Sequence, residues 1–303
     1  MGIYSSNFDF NKYRCFYAVA ECKSFSKATE LLHISQPAIS RAVKDLENQL
    51  GKQLFIRESK SVKLTESGEK LMEYVQKAFN NIIMAERAIT ENKEEISGEI
   101  RIGIYSHISL IMLPNFIKYF TEKYPDVRFD ILTISNIEAK EKLNSRELDF
   151  IILQYPIFID EGIYTEEIVC ELENCFFANK KYYDLFVNDT NDLVQYPLIL
   201  PFRGYNDINS LEELFKQKKK VLETDLRVYA LELRAKLAVE GLGIGWGLRK
   251  SVEEYFDNKT LYELPIEFAC PTTKYSIAYD DRYLSKTSKI FLNEFKKYLK
   301  ENF

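Results

Sequence analysis

The apolar positions in the first 50 residues recur at the spacing of short amphipathic helices. The helices that this pattern predicts cover 11–21, 27–32 and 36–50. Ser35 can cap the third helix, and Gly51 can end it in a left-handed conformation. We expect Leu31 and Leu50 to face inward with the other apolar residues. Because the second and third helices are joined by a turn of about three residues, the pattern predicts a helix-turn-helix.

A short polar turn separates two runs of alternating residues after the third helix. The predicted strands cover 53–57 and 62–65, and the turn covers 58–61. Such a hairpin would form a wing beside the helix-turn-helix. Arg57, Lys60 and Lys63 could then contact DNA phosphates.

The third helix begins with small and hydrogen-bonding side chains, as expected of a helix that approaches base edges in the major groove. The candidate DNA-binding residues of this helix are Gln36, Pro37, Ala38, Ser40 and Arg41. Glutamine can pair with adenine, and arginine with guanine or a phosphate. Proline is tolerated in a first helical turn because the N–H that it lacks would have no intrahelical partner. The sequence therefore predicts a protein that binds double-stranded DNA.

A long helix is predicted over 66–93, because this segment has no proline and one glycine. Apolar residues recur along it at spacings of four, three, four, three and four, as in a coiled coil. They are Leu71, Val75, Ala78, Ile82, Ala85 and Ile89. We expect this seam to pair with the same helix of a second chain, because the small head cannot cover all of it. A two-fold dimer, alone or within a tetramer, predicts an imperfect palindrome as its DNA site.

The segment from Ser24 to Leu71 resembles the DNA-binding head of LysR-type transcriptional regulators nearly from end to end. The matching pieces are Ser24-Phe25, Ala28, Leu32, Ser35-Gln36-Pro37-Ala38, Ser40, Leu46-Glu47, Leu50-Gly51, Leu54-Phe55, Arg57, Leu64-Thr65 and Gly68. One departure is Thr29, where the family usually has a second alanine. The resemblance also implies that the chain dimerises through the long helix.

Strands and helices alternate from residue 94 onward, which predicts βαβ units and a parallel sheet. The resemblance implies two Rossmann-like subdomains, similar to a type 2 periplasmic binding protein. The fold class is therefore multidomain: an all-α winged helix-turn-helix, a long linker helix and an α/β effector domain. The expected domains cover 8–65, 66–93 and 94–303, with subdomain 1 over about 94–160 and 268–303 and subdomain 2 over about 161–267. The expected crossovers lie near 158–164 and 264–270.

Residues that follow parallel strands are candidates for an effector site, because ligands bind beyond the carboxyl ends of such strands. The candidates are Ser106, His107, Thr133, Ser135, Gln154, Phe202, Arg203 and Trp246. Ser106 and His107 would begin a helix, which suits an anionic group on a small-molecule effector. The segment 241–245 resembles a glycine-rich stretch of the family, but Trp246 and Gly247 replace the usual Leu-Pro pair. We expect an altered cleft wall in which Trp246 contacts the ligand.

The distribution of charge fits a DNA-binding head on an acidic body. The net charge is −5, but residues 1–65 hold ten Lys and Arg against six Asp and Glu. No apolar stretch reaches the length of a membrane helix, and the scattered cysteines suit a reducing compartment, so we expect a cytoplasmic protein without metal or cofactor.

Two other functions stay open at this point. One is a thiol-based redox-sensing regulator that uses Cys170 and Cys175, although their spacing of five is not that of a C-x-x-C switch. The other is an enzyme, for which the sequence offers no nucleophile motif and no acid/base pair.

Overall fold

A computed structural model describes residues 8–57, 62–90, 96–157, 159, 163–188, 192–203, 206–224 and 226–303. The chain divides into two units. The first comprises Met1–Ile89 and Asn144–Arg146, and the second comprises Thr90–Leu143 and Glu147–Phe303. Each unit is described by itself below.

The first unit begins with the helices and the hairpin that the sequence predicts. Its elements are α1 (Phe10–Cys22), α2 (Phe25–Leu32), α3 (Gln36–Leu50), β1 (Phe55–Arg57), β2 (Val62–Leu64) and α4 (Glu66–Thr90). Ser24 caps α2 by accepting a hydrogen bond from the Lys27 N–H, and Gly51 ends α3 with a left-handed φ of 66°. Ser35 precedes α3 but makes no side-chain capping bond there.

The core of the head lies where the three short helices meet. Phe16, Ile39 and Leu46 are fully buried there, and burying each such side chain contributes about 1.5–3 kcal/mol. Leu31 and Leu50 do not join this core as expected, since they are 57% and 41% exposed. Both lie at the edge of an apolar stripe, where the helical spacing alone does not show on which side the core ends.

Hydrogen bonds from α3 and the start of α4 fix the position of the wing. Glu47 Oε1 accepts the backbone N–H groups of Leu54 and Phe55 at 2.7 and 3.3 Å. Thr65 Oγ1 donates to the Gln53 carbonyl at 2.7 Å. A Cβ on Gly68 would lie 2.2 Å from the Leu54 carbonyl oxygen, so the close approach of α4 to the wing requires glycine. The wing is therefore attached to both neighbouring helices.

The second unit alternates strands and helices. In chain order its elements are β3 (Gly98–Ile104), α5 (Ser106–Lys123), β4 (Val127–Thr133), α6 (Asn136–Asn144), β5 (Phe150–Gln154), β6 (Thr165–Leu172), β7 (Asn174–Ala178), α7 (Lys180–Asn188), a 3₁₀ turn (Leu193–Gln195), β8 (Leu198–Leu200), α8 (Asn206–Gln217), β9 (Leu226–Arg227), α9 (Leu231–Val239), β10 (Ile244–Leu248), α10 (Arg249–Asp257), β11 (Tyr262–Glu263), β12 (Thr273–Tyr279) and α11 (Lys286–Asn302). The sequence predicts one of these helices over 225–240, whereas the structure begins it later, at Leu231.

Two sheets organise this unit as two subdomains. The first has strand order β4-β3-β5-β12-β6, and the second has strand order β11-β7-β10-β8-β9. Strands β3, β4 and β5 are parallel, as the βαβ pattern predicts, whereas β12 runs antiparallel to β5. The chain returns to the first sheet after β11, in the region of the expected second crossover.

The first crossover lies later in the chain than expected. We expected it near 158–164, with subdomain 2 beginning at about 161. Strand β6 instead pairs with β12 from Thr165 to Leu172, so it belongs to the first sheet. The change of sheet falls at Glu173, between β6 and β7. A single residue separates the two strands, so the sequence pattern does not reveal which sheet each one joins.

Candidate DNA interface and effector cleft

The first half of α3 presents the side chains that the sequence predicts to contact DNA. Gln36, Pro37, Ala38 and Arg41 are exposed and Ser40 is half-buried, while Ile39 between them is buried in the core. The Gln36 amide oxygen accepts a hydrogen bond from Ser26 Oγ at 3.4 Å, which links the starts of α2 and α3. Arg41 forms a long ion pair with Asp45, at 3.9 Å. These groups are therefore accessible to a partner.

The wing consists of the antiparallel strands β1 and β2, and it carries a lysine on its exposed side. Lys63 is exposed in β2 opposite Ile56, and Arg57 ends β1. Lys60 lies outside the described residues. The structure thus places the backbone of Arg57 and the exposed Lys63, two of the three wing residues that the sequence proposes.

The apolar seam of α4 has two different environments. Leu71 and Val75 pack into the core of the head, where Val75 is 6% exposed. Val75 thus has little surface left for a partner, whereas the role of the half-buried Leu71 in dimerisation stays a prediction. Ala78 and Ala85 are exposed, as are Ile82 at 42% and Ile89 at 84%. The second half of the seam thus stays uncovered by the part of the chain that the structure describes.

A cleft of about 480 Å³, including its open mouth, lies within the second unit. It is lined by Tyr105, His107, Gln154, Pro201, Tyr229, Leu231, Arg234, Gly247, Leu248 and Tyr275. Some of these residues belong to the elements of the first sheet and others to those of the second. The cleft therefore lies between the two subdomains, at the starts of α5 and α9.

His107 forms one wall of the cleft together with two tyrosines. Its Nε2 lies 3.2 Å from the Tyr275 hydroxyl, and its ring stacks on Tyr105 with centroids 5.7 Å apart. Burial lowers the pKa of His107 to about 4, and the nearby charge of Arg234 acts in the same direction. The imidazole is therefore neutral at pH 7, and it can accept or donate a hydrogen bond according to its tautomer.

Arg234 forms the opposite wall and is 5% exposed. Its Nη1 donates a hydrogen bond to the backbone carbonyl of Trp246. We did not predict this residue from the sequence, although the sequence carries a signal for it. Arg234 lies on the apolar side of α9 with Leu231, Ala235 and Ala238, all of which are buried. A charged residue on an apolar helical stripe indicates a buried and specific role.

Of the residues that the sequence proposes for the effector site, the structure brings His107 and Gln154 to the cleft. Ser106, Thr133 and Phe202 are exposed and do not line it. Ser135 forms a capping box at the start of α6, since its Oγ donates to Glu138 Oε2 at 2.9 Å and accepts from the Glu138 N–H. Its side chain is thus used within the helix start rather than in the cleft.

Two of the expected ligand contacts are placed elsewhere by the structure. Arg203 is paired with Glu212 at 3.0 Å, and its side chain is 65% exposed. Trp246 is fully buried in the core of the second sheet, where its ring lies 6.5 Å from that of Phe176. Successive residues of a strand point to opposite faces, so Trp246 enters the core and Gly247 faces the cleft. The expectation placed the aromatic residue on the wrong face.

The thiols proposed for redox sensing are buried on strands of different sheets. Cys170 lies on β6 and Cys175 on β7. Burial raises the pKa of Cys170 to about 12 and raises that of Cys175 as well. Both are therefore protonated at neutral pH, in the form that reacts poorly with peroxide.

Metal sites and membrane helices are both absent from the part of the chain that the structure describes. These residues contain no cluster of His, Cys, Asp and Glu that could hold a metal ion. Among the same residues, no helix has the length and apolar character needed to cross a membrane.

Comparison with known proteins agrees with this arrangement. Residues 10–69 match the family model described as bacterial regulatory helix-turn-helix protein, lysR family, and residues 93–300 match the LysR substrate binding domain. The activator IlvY of Haemophilus influenzae is 24% identical over 260 residues, covering 84% of this chain and 86% of IlvY. The regulator YofA of Bacillus velezensis is 25% identical over 290 residues, covering 93% and 96%.

Solved structures share the fold over nearly the whole chain. A full-length OxyR variant from Pseudomonas aeruginosa superposes with a TM-score of 0.69 at 19% identity, covering 96% of this chain and 97% of OxyR. CbnR, a LysR family transcriptional regulator, gives a TM-score of 0.68 at 17% identity, covering 96% and 99%.

The winged head and the two-subdomain cleft together define a DNA-binding transcriptional regulator with a module for small-molecule effectors. The chain belongs to the LysR family, because the two family models together cover most of its length.

Proposed function

We propose that the regulator reads its DNA site with the first half of α3. The observation that carries this proposal is the exposure of Gln36, Pro37 and Ala38 around the buried Ile39. This arrangement lets the helix pack on its own head while it presents an amide and a methyl group outward. Ser40 and Arg41 extend the same surface, and Arg57, Lys60 and Lys63 of the wing contact the flanking phosphates.

Self-association follows from the uncovered half of the α4 seam. Ile82 and Ile89 are exposed to solvent, although they continue the spacing of Leu71 and Val75. Pairing of two copies through Ala78, Ile82, Ala85 and Ile89 buries this surface. The resulting dimer, which can assemble further into a tetramer, presents two α3 helices to an imperfect palindrome.

The cleft between the subdomains holds the effector. His107 and Gln154 contribute hydrogen-bonding groups from the first subdomain, and Tyr229 and Arg234 contribute from the second. A ligand that contacts both walls stabilises one relative arrangement of the subdomains, which is the differential interaction that control of DNA binding requires. We propose a cytoplasmic regulator without enzymatic activity, since the relatives are transcriptional regulators.

A thermal-shift screen of metabolites on the full chain tests this function. We expect at least one compound to raise the melting temperature, and the same compound to change the affinity for a DNA duplex selected by the protein. The variant Gln154→Leu should lose the response to this compound and keep basal DNA binding. The proposal is wrong if stabilising compounds leave DNA affinity unchanged, or if Gln154→Leu responds like the unaltered chain.

A further inference from the structure

The side chain of Arg234 is buried in the cleft wall by a local arrangement of three residues. Its guanidinium donates through Nη1 to the Trp246 carbonyl. A Cβ on Gly247 would lie 3.5 Å from the same Nη1 and 2.4 Å from Leu231 Cδ1. The absence of a side chain at position 247 therefore makes room for Leu231, whereas an added Cβ would meet the guanidinium only at an ordinary contact distance. Trp246 thus supplies the backbone carbonyl that binds the buried cation, and Gly247 beside it leaves space for Leu231.

The lining of the cleft carries a positive charge. Of the described residues that line it, Arg234 is the one that is charged at neutral pH, because His107 is kept neutral by burial. The other lining groups are apolar, phenolic, imidazole or amide, and none of them is a carboxylate. Water screens a charge poorly in such a partly enclosed site, so the guanidinium favours a ligand of negative charge.

Two helix starts add positive potential at the same place. Tyr105 precedes α5 and Ala230 precedes α9, and neither helix has a side-chain cap. The first turns of both helices contribute residues to the cleft, His107 and Leu231. The N–H groups of a helix start favour negative charge. Glu232 in the first turn of α9 offsets part of this potential, whereas the first turn of α5 holds no acidic residue. The start of α5 and Arg234 are therefore the two independent features that favour a ligand of negative charge.

We infer that the effector is a small organic anion whose carboxylate is held by Arg234. The inference rests on the effector cleft proposed above. Guanidinium and carboxylate match in a two-bond geometry, and Gln154 and Tyr275 line the cleft where a second polar group of the ligand can contact them.

Matched pairs of acids and amides test this inference on the full chain. The probes are acetate with acetamide, and phenylacetate with phenylacetamide, titrated in a thermal-shift assay. We expect at least one carboxylate to stabilise the unaltered chain while its amide does not. Arg234→Gln should weaken that binding by roughly 10- to 100-fold, and Arg234→Lys should keep the preference for the acid at lower affinity.

Arg203→Gln is the matched control, because it removes a positive charge that lies outside the cleft and is largely exposed. It should bind the carboxylate like the unaltered chain. If Arg234→Gln fails to fold, the affinities for acid and amide are compared on the unaltered chain and on Arg234→Lys. This comparison then decides whether the cleft prefers a carboxylate. Gly247→Ala should also weaken binding, because the added methyl displaces Leu231 toward the cleft.

The inference is overturned if no carboxylate binds, if an amide binds as tightly as its acid, or if Arg234→Gln keeps full affinity for the acid. The proposed function can still be correct after such a result. In that case uncharged metabolites stabilise the chain, and Gln154→Leu abolishes their effect. If no metabolite of any charge alters DNA affinity, the proposed function of the cleft is wrong as well.

Discussion

Nε2 of His107 lies 3.2 Å from the hydroxyl of Tyr275, which joins the first turn of α5 to the antiparallel strand β12. The pairing is part-buried in the cleft wall, and it keeps an ionisable ring where a charge would be poorly solvated. Burial is also the main reason that the pKa of His107 falls to about 4. The contact therefore links the geometry of the cleft to the pH dependence of stability.

The stability of the chain should fall between pH 6.5 and 4 because of His107. The unfolded chain binds a proton on this histidine below pH 6.5, whereas the folded chain resists protonation down to about pH 4. The stabilisation is thus complete above pH 6.5 and is lost as the pH falls, by about 3 kcal/mol in total. Urea unfolding at several pH values measures this loss.

The variant His107→Asn should remove this part of the pH dependence. His33→Asn is the control, because His33 is the other histidine of the sequence and is exposed. Of the two exchanges, His107→Asn is the one that removes a histidine from the cleft wall. If the free energy of unfolding changes equally with pH in the unaltered chain and in His107→Asn, the histidine is protonated normally in the folded state.

Gln36→Ala should weaken binding to the selected DNA site by roughly 1–3 kcal/mol per half-site. The amide is exposed at the start of α3, where it can form two hydrogen bonds with adenine. Fluorescence anisotropy on specific and scrambled duplexes measures the difference. Asn48→Ala removes an exposed amide from the far end of the same helix and should have no effect. Equal affinities of Gln36→Ala and the unaltered chain would exclude a base-reading role.

Ile82→Lys should break the proposed pairing of α4. Each isoleucine that becomes buried on pairing contributes roughly 1.5–3 kcal/mol, so the dissociation constant should rise by roughly 10-fold or more. Sedimentation velocity over a concentration series measures this change. Ile83→Lys is the control, because Ile83 is similarly exposed but lies outside the seam. A dimer that tolerates Ile82→Lys as well as Ile83→Lys would contradict the assignment.

Cys170 and Cys175 should react slowly with iodoacetamide at neutral pH, because burial keeps both thiols protonated. Mass spectrometry of labelled peptides measures the rates, and labelling in urea provides the reference for accessible thiols. A peroxide titration should leave DNA affinity unchanged. A disulfide between these two cysteines that alters DNA binding would instead support the redox-sensing alternative.

The sequence predicted the winged head closely, since helical spacing, Ser24 and Gly51 define its elements locally. It also predicted the alternation of strands and helices after residue 94, because that pattern is local as well. The prediction was wrong where strand pairing depends on residues that are distant in the sequence. The sheet that β6 joins depends on pairing with β12, about 100 residues later.

The effector cleft was only partly predictable from the sequence. His107 follows β3 and Gln154 is the last residue of β5, so the rule of strand ends predicts both, whereas Arg234 lies within a helix, where this rule does not apply. The chemistry of Trp246 suggested a ligand contact. The alternation of side chains along β10 instead directs Trp246 into the core. Arg203 also follows a strand, yet its local partner Glu212 lies away from the cleft lining.

Selection from a pool of random duplexes by the purified full chain tests the central claim most directly. We predict enrichment of an imperfect palindrome whose half-sites are separated by about one helical turn, roughly 10 base pairs, or a multiple of it. The Gln36→Ala variant should enrich a motif with relaxed preference at the contacted base pair. Recovery of no sequence above the input pool, or of the same motif at full strength with Gln36→Ala, would contradict the account.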